Sequence, residues 1–235
     1  MKRQHRFLAF DLGAESGRAL LGELNGARLG VREVSRFPNR MLGLNGHLFW
    51  DVWHLLNEVK AGLQTCAGDE PISVGIDTWG VDFGLLAGDG TLLGLPYSYR
   101  DSRTAGVMTR FHRLVPKRRV YELTGIQLLP INTLYQLYSM QHDRSQALHP
   151  PSFRASPTSR GISRRDPSTA LRVTKVRDRS PLLDVASDLL FMPDLFNYFL
   201  SGRKVTEFTI ATTSQLFDPS RKRWAAELLL SLIHI

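Results

Sequence analysis

The chain has one cysteine, Cys66, among 235 residues, so no intrachain disulfide is possible. That excludes a disulfide-stapled secreted scaffold and fits a reducing cytoplasm. Long apolar runs are also missing. The longest, Leu228 to Ile235, is broken by Ser231 and His234 and falls far short of the roughly 20 residues a membrane span needs. At the N-terminus, basic Lys2, Arg3 and Arg6 precede Phe7-Leu8-Ala9-Phe10, but the run stops at Asp11, too short for a signal peptide. No Gly-Lys-Ser/Thr occurs, so there is no P-loop. The seven histidines show no metal-ligand spacing. The sequence does have enough apolar residues, 43%, to build a real core at this length.

The formal net charge is +8, which first suggests a nucleic-acid binder. Its distribution argues otherwise. From Arg144 to Arg179, nine Lys/Arg face two Asp, a net +7 over 36 residues, and the other 199 residues carry only +1. Residues 145–179 are rich in Pro, Ser and Arg and have no hydrophobic period, so they read as a low-complexity insert or a local frameshift. Aromatic interleaving is limited to Phe153, which leaves nucleic-acid binding poorly supported. The tail Leu230–Ile235 is also foreign in character. One codon choice for it reproduces a transposon-end adapter used in DNA library preparation, so residues 230–235 are expected to be an artefact.

Along the chain, Phe7 to Asp11 reads as a buried strand and Ala19 to Leu24 as a second. Asn25-Gly26 signals a hairpin into a third, Arg28 to Phe37. No room exists for a helix between the first two strands, so they form a meander. Asp51 is placed to cap a helix over 52–66, with Val52, Leu55, Leu56, Val59 and Leu63 at helical spacing. Ile72 to Asp77 is a strand, and a second hairpin follows around Gly88-Asp89-Gly90. Helices are expected over 102–114, 117–123, 133–142, 181–200 and from Arg223 onward. Strands first and helices later imply an α/β or α+β domain.

Three constellations carry chemistry. Phe10-Asp11-Leu12-Gly13-Ala14-Glu15-Ser16-Gly17-Arg18 is a strand, a glycine-bounded turn and a second strand. Backbone amides in such a turn can cradle a phosphate, with Asp11 organising Mg²⁺ directly or through water. An ordinary hairpin turn is the competing reading. Gly75-Ile76-Asp77-Thr78-Trp79-Gly80-Val81-Asp82-Phe83 offers polar groups at a strand end and an indole wall suited to a polyol, against the alternative of a β-turn with a core Trp. Tyr99-Arg100-Asp101-Ser102-Arg103-Thr104 is either a capped helix start with surface arginines or a ligand contact. The Met and aromatic positions of Leu190 to Leu200 read as helix core.

Together these motifs resemble the FGGY carbohydrate kinases of the actin-like ATPase superfamily. Five stretches (Gly75–Phe83, Tyr99–Thr104, Gly125–Leu137, Leu190–Gly202 and Glu207–Leu216) are similar to the rhamnulokinase branch in particular. The resemblance runs from about Phe7 to Leu229, omitting the basic segment. It implies an actin-like (ribonuclease H-like) ATPase domain with a mixed sheet and flanking helices, the N-terminal domain of a two-domain sugar kinase. Residues 1–229 would be that domain, interrupted at 145–179, with the C-terminal domain missing.

The implied reaction transfers the ATP γ-phosphoryl to the 1-hydroxyl of L-rhamnulose; a different ketose or polyol, or a non-catalytic sugar-binding half-kinase, are the alternatives. Ala14, Glu15, Ser16, Gly17 and Arg18 would line the ATP phosphates and Asp11 would hold Mg²⁺. Gly80 would contact the sugar, with Thr78, Trp79 and Asp82 nearby. The implied partners are a small sugar and ATP, with no nucleic acid and no membrane. The family's catalytic base is an Asp in a His-Asp-Thr motif. None occurs here, because His142-Asp143 is followed by Arg144. The chain alone is therefore expected to be inactive.

Overall fold

The computed structural model describes residues 5–142 and 181–233. The basic segment 145–179, Asp143, Arg144 and the last two residues of the expected foreign tail lie outside them.

Strands β1 (His5–Leu12), β2 (Ser16–Asn25) and β3 (Arg28–Pro38) form the expected antiparallel meander. Gly26 takes the left-handed conformation that the β2–β3 turn requires, at φ 63°. A short hairpin follows, β4 (Met41–Leu44) and β5 (His47–Trp50), and then helix α1 (Val52–Thr65). Asp51 caps α1 as the sequence predicts, its carboxylate accepting the His54 amide at 3.0 Å. The chain then returns as β6 (Ser73–Thr78), parallel to β1, giving a mixed sheet in the order β3-β2-β1-β6. Leu8, Phe10 and Leu12 alternate on one face of β1 and are buried with Ala19 and Leu21 of β2. They meet Val52, Leu55 and Val59 of α1 in one core. Gly62 lets α1 approach closely, since a Cβ there would lie 2.7 Å from the Phe10 ring.

Beyond β6 the chain departs from the sequence reading in four places. The expected hairpin around Gly88-Asp89-Gly90 does close, with Ala87 N–H donating to Thr91 O at 2.8 Å. The main partner of β7 (Phe83–Leu86), however, comes from far along the chain. The expected helix over 102–114 is instead a 3-10 turn at Ser102–Thr104 and a short helix α2 (Val107–Phe111), because Gly106 sits at φ 68° between them. Helices α3 (Lys117–Thr124) and α4 (Thr133–His142) follow as expected.

The expected single helix over 181–200 divides into α5 (Pro181–Val185), β8 (Asp188–Phe191) and α6 (Met192–Ser201). Pro193 explains the break. It has no N–H and clashes with a preceding helical turn, so it suits a helix start and pushes the residues before it into extended backbone. The freed run Asp188-Leu189-Leu190-Phe191 pairs antiparallel with β7, Phe83 opposite Phe191. Leu190 and Phe191 are therefore strand core, and Met192, Leu195 and Phe196 are helix core. After α7 (Phe208–Thr212), β9 (Phe217–Asp218) pairs with β10 (Arg223–Trp224), so the helix expected from Arg223 begins later, as α8 (Ala226–Ile233). Residues 230–233 of the expected foreign tail continue α8, and Leu232 is buried in the same cluster as Leu228.

Leu55 is fully buried and Val74, on β6, is 41% exposed. Leu55→Ala should lower unfolding free energy by about 2–5 kcal/mol in urea titration, whereas Val74→Thr should change it by less than about 0.5 kcal/mol.

Candidate active site

β1 and β6 run parallel and in register, so Asp11 stands beside Asp77 and Leu12 beside Thr78. In-register neighbours on parallel strands present their side chains on the same face, which brings the two carboxylates together. Both loops that the sequence singles out leave the sheet here, at the carboxyl ends of adjacent parallel strands. That edge is where open α/β sheets bind ligands.

The first loop is the Gly13–Glu15 turn between β1 and β2. Gly13 N–H donates to Ser16 O at 2.9 Å. Asn39 ties the turn down from outside. Its amide N–H donates to Glu15 O at 2.9 Å, and its side-chain Nδ2 donates to Gly13 O at 2.8 Å. Ala14 packs on the core, and the Glu15 side chain projects into solvent within 3.9 Å of Arg100. Arg18 lies opposite Asp11 across the β1–β2 ladder and forms an ion pair with it. Gly17 has a packing reason of its own: a Cβ would lie 2.2 Å from the Phe37 ring. Neither Gly13 nor Gly17 has a positive φ, so the turn uses glycine for close approach and not for unusual backbone.

The second loop follows β6. Thr78 Oγ1 donates to Trp79 O at 2.8 Å. Gly80 faces Thr213 of the α7 end, where a Cβ would meet the Thr213 side chain at 3.0–3.1 Å. Val81 is held at φ 68°, a conformation that strains a β-branched residue. Three hydrogen bonds keep it there. Its N–H donates to Thr213 Oγ1 at 3.1 Å, and its carbonyl accepts from Thr133 Oγ1 at 2.6 Å and Gln136 Nε2 at 3.3 Å.

Asp82 closes the loop and is fully buried. One carboxylate oxygen accepts the Trp50 indole N–H at 2.6 Å, the Trp79 indole N–H at 3.0 Å and the Tyr99 amide at 3.0 Å. The other accepts Gln136 Nε2 at 2.8 Å. The Asp82 carbonyl accepts the Met192 amide at 3.2 Å. Burial raises the Asp82 pKa to about 6, against the lowering effect of these bonds. Trp79 also packs on Trp50, ring centroids 4.1 Å apart. The structure thus brings Thr78, Trp79, Gly80 and Asp82 into one loop, with the Asp82 carboxylate turned inward. Residues from the stretches 99–104, 125–137, 190–202 and 207–216 all reach this loop. Asp101 and Arg103 of the third constellation are buried, with Asp101 capping the 3-10 turn through the Arg103 amide at 2.9 Å.

Sequence reasoning assigned no role to Asp77, Asn39, Trp50, Thr133, Gln136 or Thr213. Asp77 had a local signal, a second strand ending in Asp. The others come together only through the tertiary fold. For Mg²⁺, the chemistry of the donors fits. Two neighbouring carboxylates, Asp11 and Asp77, match a cation that keeps most of its water and takes one or two protein oxygens beside phosphate. Among the described residues no cluster of three or more His, Cys, Asp or Glu offers a full protein cage.

No protein-family model matches the chain. The chain is 37% identical over 228 residues to a rhamnulokinase of Bacteroides thetaiotaomicron, covering 96% of this chain and 40% of that protein. It is also 37% identical over 227 residues to a rhamnulokinase of Halalkalibacterium halodurans, covering 96% of this chain and 41% of that protein. The chain thus spans about 40% of the length of the curated relatives it matches. The crystal structure of a gluconate kinase from Lactobacillus acidophilus superposes with a TM-score of 0.73 at 13% identity, over 98% of this chain and 40% of that one. The fold is therefore that of a sugar kinase, an α/β actin-like domain with a mixed sheet.

Asp194 is a second buried carboxylate. One oxygen accepts the Glu207 amide at 3.1 Å, and burial raises its pKa to about 6. Raised carboxylates hold protons in the native state that the unfolded chain has already lost, so stability falls as pH rises through the window from about 4 to 6. Lowering pH from about 7.5 to about 5.5 should raise the unfolding temperature in a thermal melt. The rise should shrink in Asp194→Asn.

Proposed function

We propose that this chain is the N-terminal, sugar-binding part of a rhamnulokinase, an ATP-dependent kinase that phosphorylates the 1-hydroxyl of L-rhamnulose. The observation that carries the reading is the pairing of the two loops. The Gly13–Glu15 turn and the Thr78–Asp82 loop leave adjacent, in-register strands side by side, and this adjacency supports reading them as a phosphate cradle beside a polyol pocket. The similarity to rhamnulokinases supplies the choice of sugar.

In this reading Ala14, Glu15, Ser16, Gly17 and Arg18 line the ATP phosphates. Asp11, with Asp77 beside it, holds Mg²⁺ through water. MgATP, when bound, supplies the phosphoryl group and neutralises the charge that develops as it moves. Gly80 lets the sugar approach the backbone, Thr78 offers a hydroxyl, and Trp79 forms an apolar wall. The Arg18–Asp11 ion pair holds these two groups together next to the turn. Phosphoryl transfer depends mostly on such positioning and charge. The transfer also needs a base for the sugar hydroxyl proton. That base lies in the part of the relatives' length that this chain does not span, and so does the rest of the nucleotide cleft. The enzyme works in the cytoplasm on rhamnose-derived sugar.

Two measurements test the reading. Calorimetry on the chain should detect L-rhamnulose in preference to glycerol and xylulose, and a coupled ADP-release assay on the same preparation should show no turnover. Equal affinity for all three polyols would sink the choice of sugar. Turnover at the rate of a full-length sugar kinase would sink the assignment of the base. Gly80→Val, which drives a side chain into Thr213, should weaken sugar binding by at least about tenfold.

A further inference from the structure

The Asp82 carboxylate is in an unusual position for a residue of a sugar loop. It has no exposed surface and receives four donors, from Trp50, Trp79, Tyr99 and Gln136. Oxygens that already accept this many bonds inside a core have little left for a ligand hydroxyl. The loop it closes is nevertheless strained at Val81. Strain of this kind persists only where surrounding bonds over-determine it. We propose that Asp82 is a positioning residue, whose buried carboxylate locks the Trp79 indole and the Gly80–Val81 backbone in the conformation that faces the sugar. The proposal rests on reading Thr78–Gly80 as part of the sugar pocket.

The chemistry of the site requires a carboxylate there and does not accept its amide. Oδ2 takes three donors and Oδ1 takes Gln136 Nε2. An asparagine oxygen could serve one side only, leaving its NH₂ against a donor on the other. Gln136 cannot relieve the conflict by turning over, because its own oxygen accepts from the Arg103 guanidinium. The bonds running from Arg103 through Gln136, and from Trp79, therefore converge on Asp82 as their common acceptor. Gln136 also bonds the Val81 carbonyl at 3.3 Å, so the same side chain reads both the carboxylate and the strained peptide. Asp82→Asn is close to isosteric. It tests the hydrogen-bond logic with little change of volume.

The experiment uses the ¹⁵N-labelled 235-residue chain, with L-rhamnulose as the probe. Its four tryptophans give four indole N–H signals, assigned by single Trp→Phe variants. In Asp82→Asn, the Trp50 and Trp79 indole signals should both shift strongly while those of Trp53 and Trp224 stay in place. Calorimetry should show L-rhamnulose affinity falling at least tenfold. Trp79→Phe, which keeps a ring and loses the N–H, should lower affinity at least threefold. Three results overturn the proposal. They are an unmoved Trp79 indole in Asp82→Asn, unchanged sugar affinity despite a moved indole, and unchanged affinity in Trp79→Phe. If Asp82→Asn collapses the Trp53 and Trp224 signals as well, the variant has unfolded and the Trp79→Phe affinity decides. A wild-type chain whose indoles respond to Asp82→Asn but which binds no L-rhamnulose defeats the sugar-pocket reading, and the positioning role with it. Uncoupled indoles in a chain that binds the sugar defeat the positioning role alone.

Discussion

The arrangement of the whole molecule depends on one buried negative charge. Asp82 gathers the indole of Trp50 from β5, the indole of Trp79 from the loop after β6, the backbone of Tyr99 and the side chain of Gln136 from α4. Its own carbonyl takes the amide of Met192 at the start of α6. Burying a carboxylate is unfavourable unless its hydrogen-bonding capacity is met. Here the bonds that meet it join elements up to 54 residues apart, and the Asp82 carbonyl adds Met192, more than a hundred residues along the chain. The β-rich N-terminal part and the helical C-terminal part are tied together at the residue that closes the Thr78–Asp82 loop.

The site is split between a rigid part and a strained part. The turn after β1 is an ordinary tight turn, fastened by Asn39 and backed by the Phe37 ring in the space that Gly17 leaves open. It has no left-handed residue. The loop after β6 holds Val81 in a left-handed conformation, and bonds from Thr133, Gln136 and Thr213 retain it there. The first loop is thus fixed by its own Gly13–Ser16 bond and by nearby Asn39, and the second by side chains from distant helices. Substitution at the neighbours therefore reaches the second loop without touching it.

Much of the fold was legible because it is local. The meander needed only the short gap between β1 and β2 and the Asn25-Gly26 turn. Helix α1 needed its apolar spacing and the Asp51 cap. The β4–β5 hairpin was missed although Asn45-Gly46 marks it, and both residues do take positive φ. The helix expected over 181–200 failed because its apolar run is consistent with either period. Pro193 was the local clue, but the partner that decides the matter, β7, lies about a hundred residues earlier. In the site, the residue types at the turn and the loop were visible, whereas the clamp around Val81 was not. Thr133, Gln136 and Thr213 are polar side chains on helices or helix ends, with no local mark of their common target. The inward turn of the Asp82 carboxylate was equally hidden, since a charged residue in a turn reads as solvent-facing until the surrounding donors are known.

The shared register of β1 and β6 has a consequence for how the protein can change. Side chains alternate between faces with a period of two, so a slip of one residue in β1 would carry Asp11 into the core and bring Phe10 and Leu12 out of it, and a slip in β6 would exchange Asp77 for Ile76. A single-residue insertion or deletion within either strand is thus penalised twice, in packing and in the placement of the carboxylates. The turn at Gly88-Asp89-Gly90 bears neither constraint. Length variation among descendants of this sequence should therefore collect in the connecting turns and stay out of the two strands that carry Asp11 and Asp77.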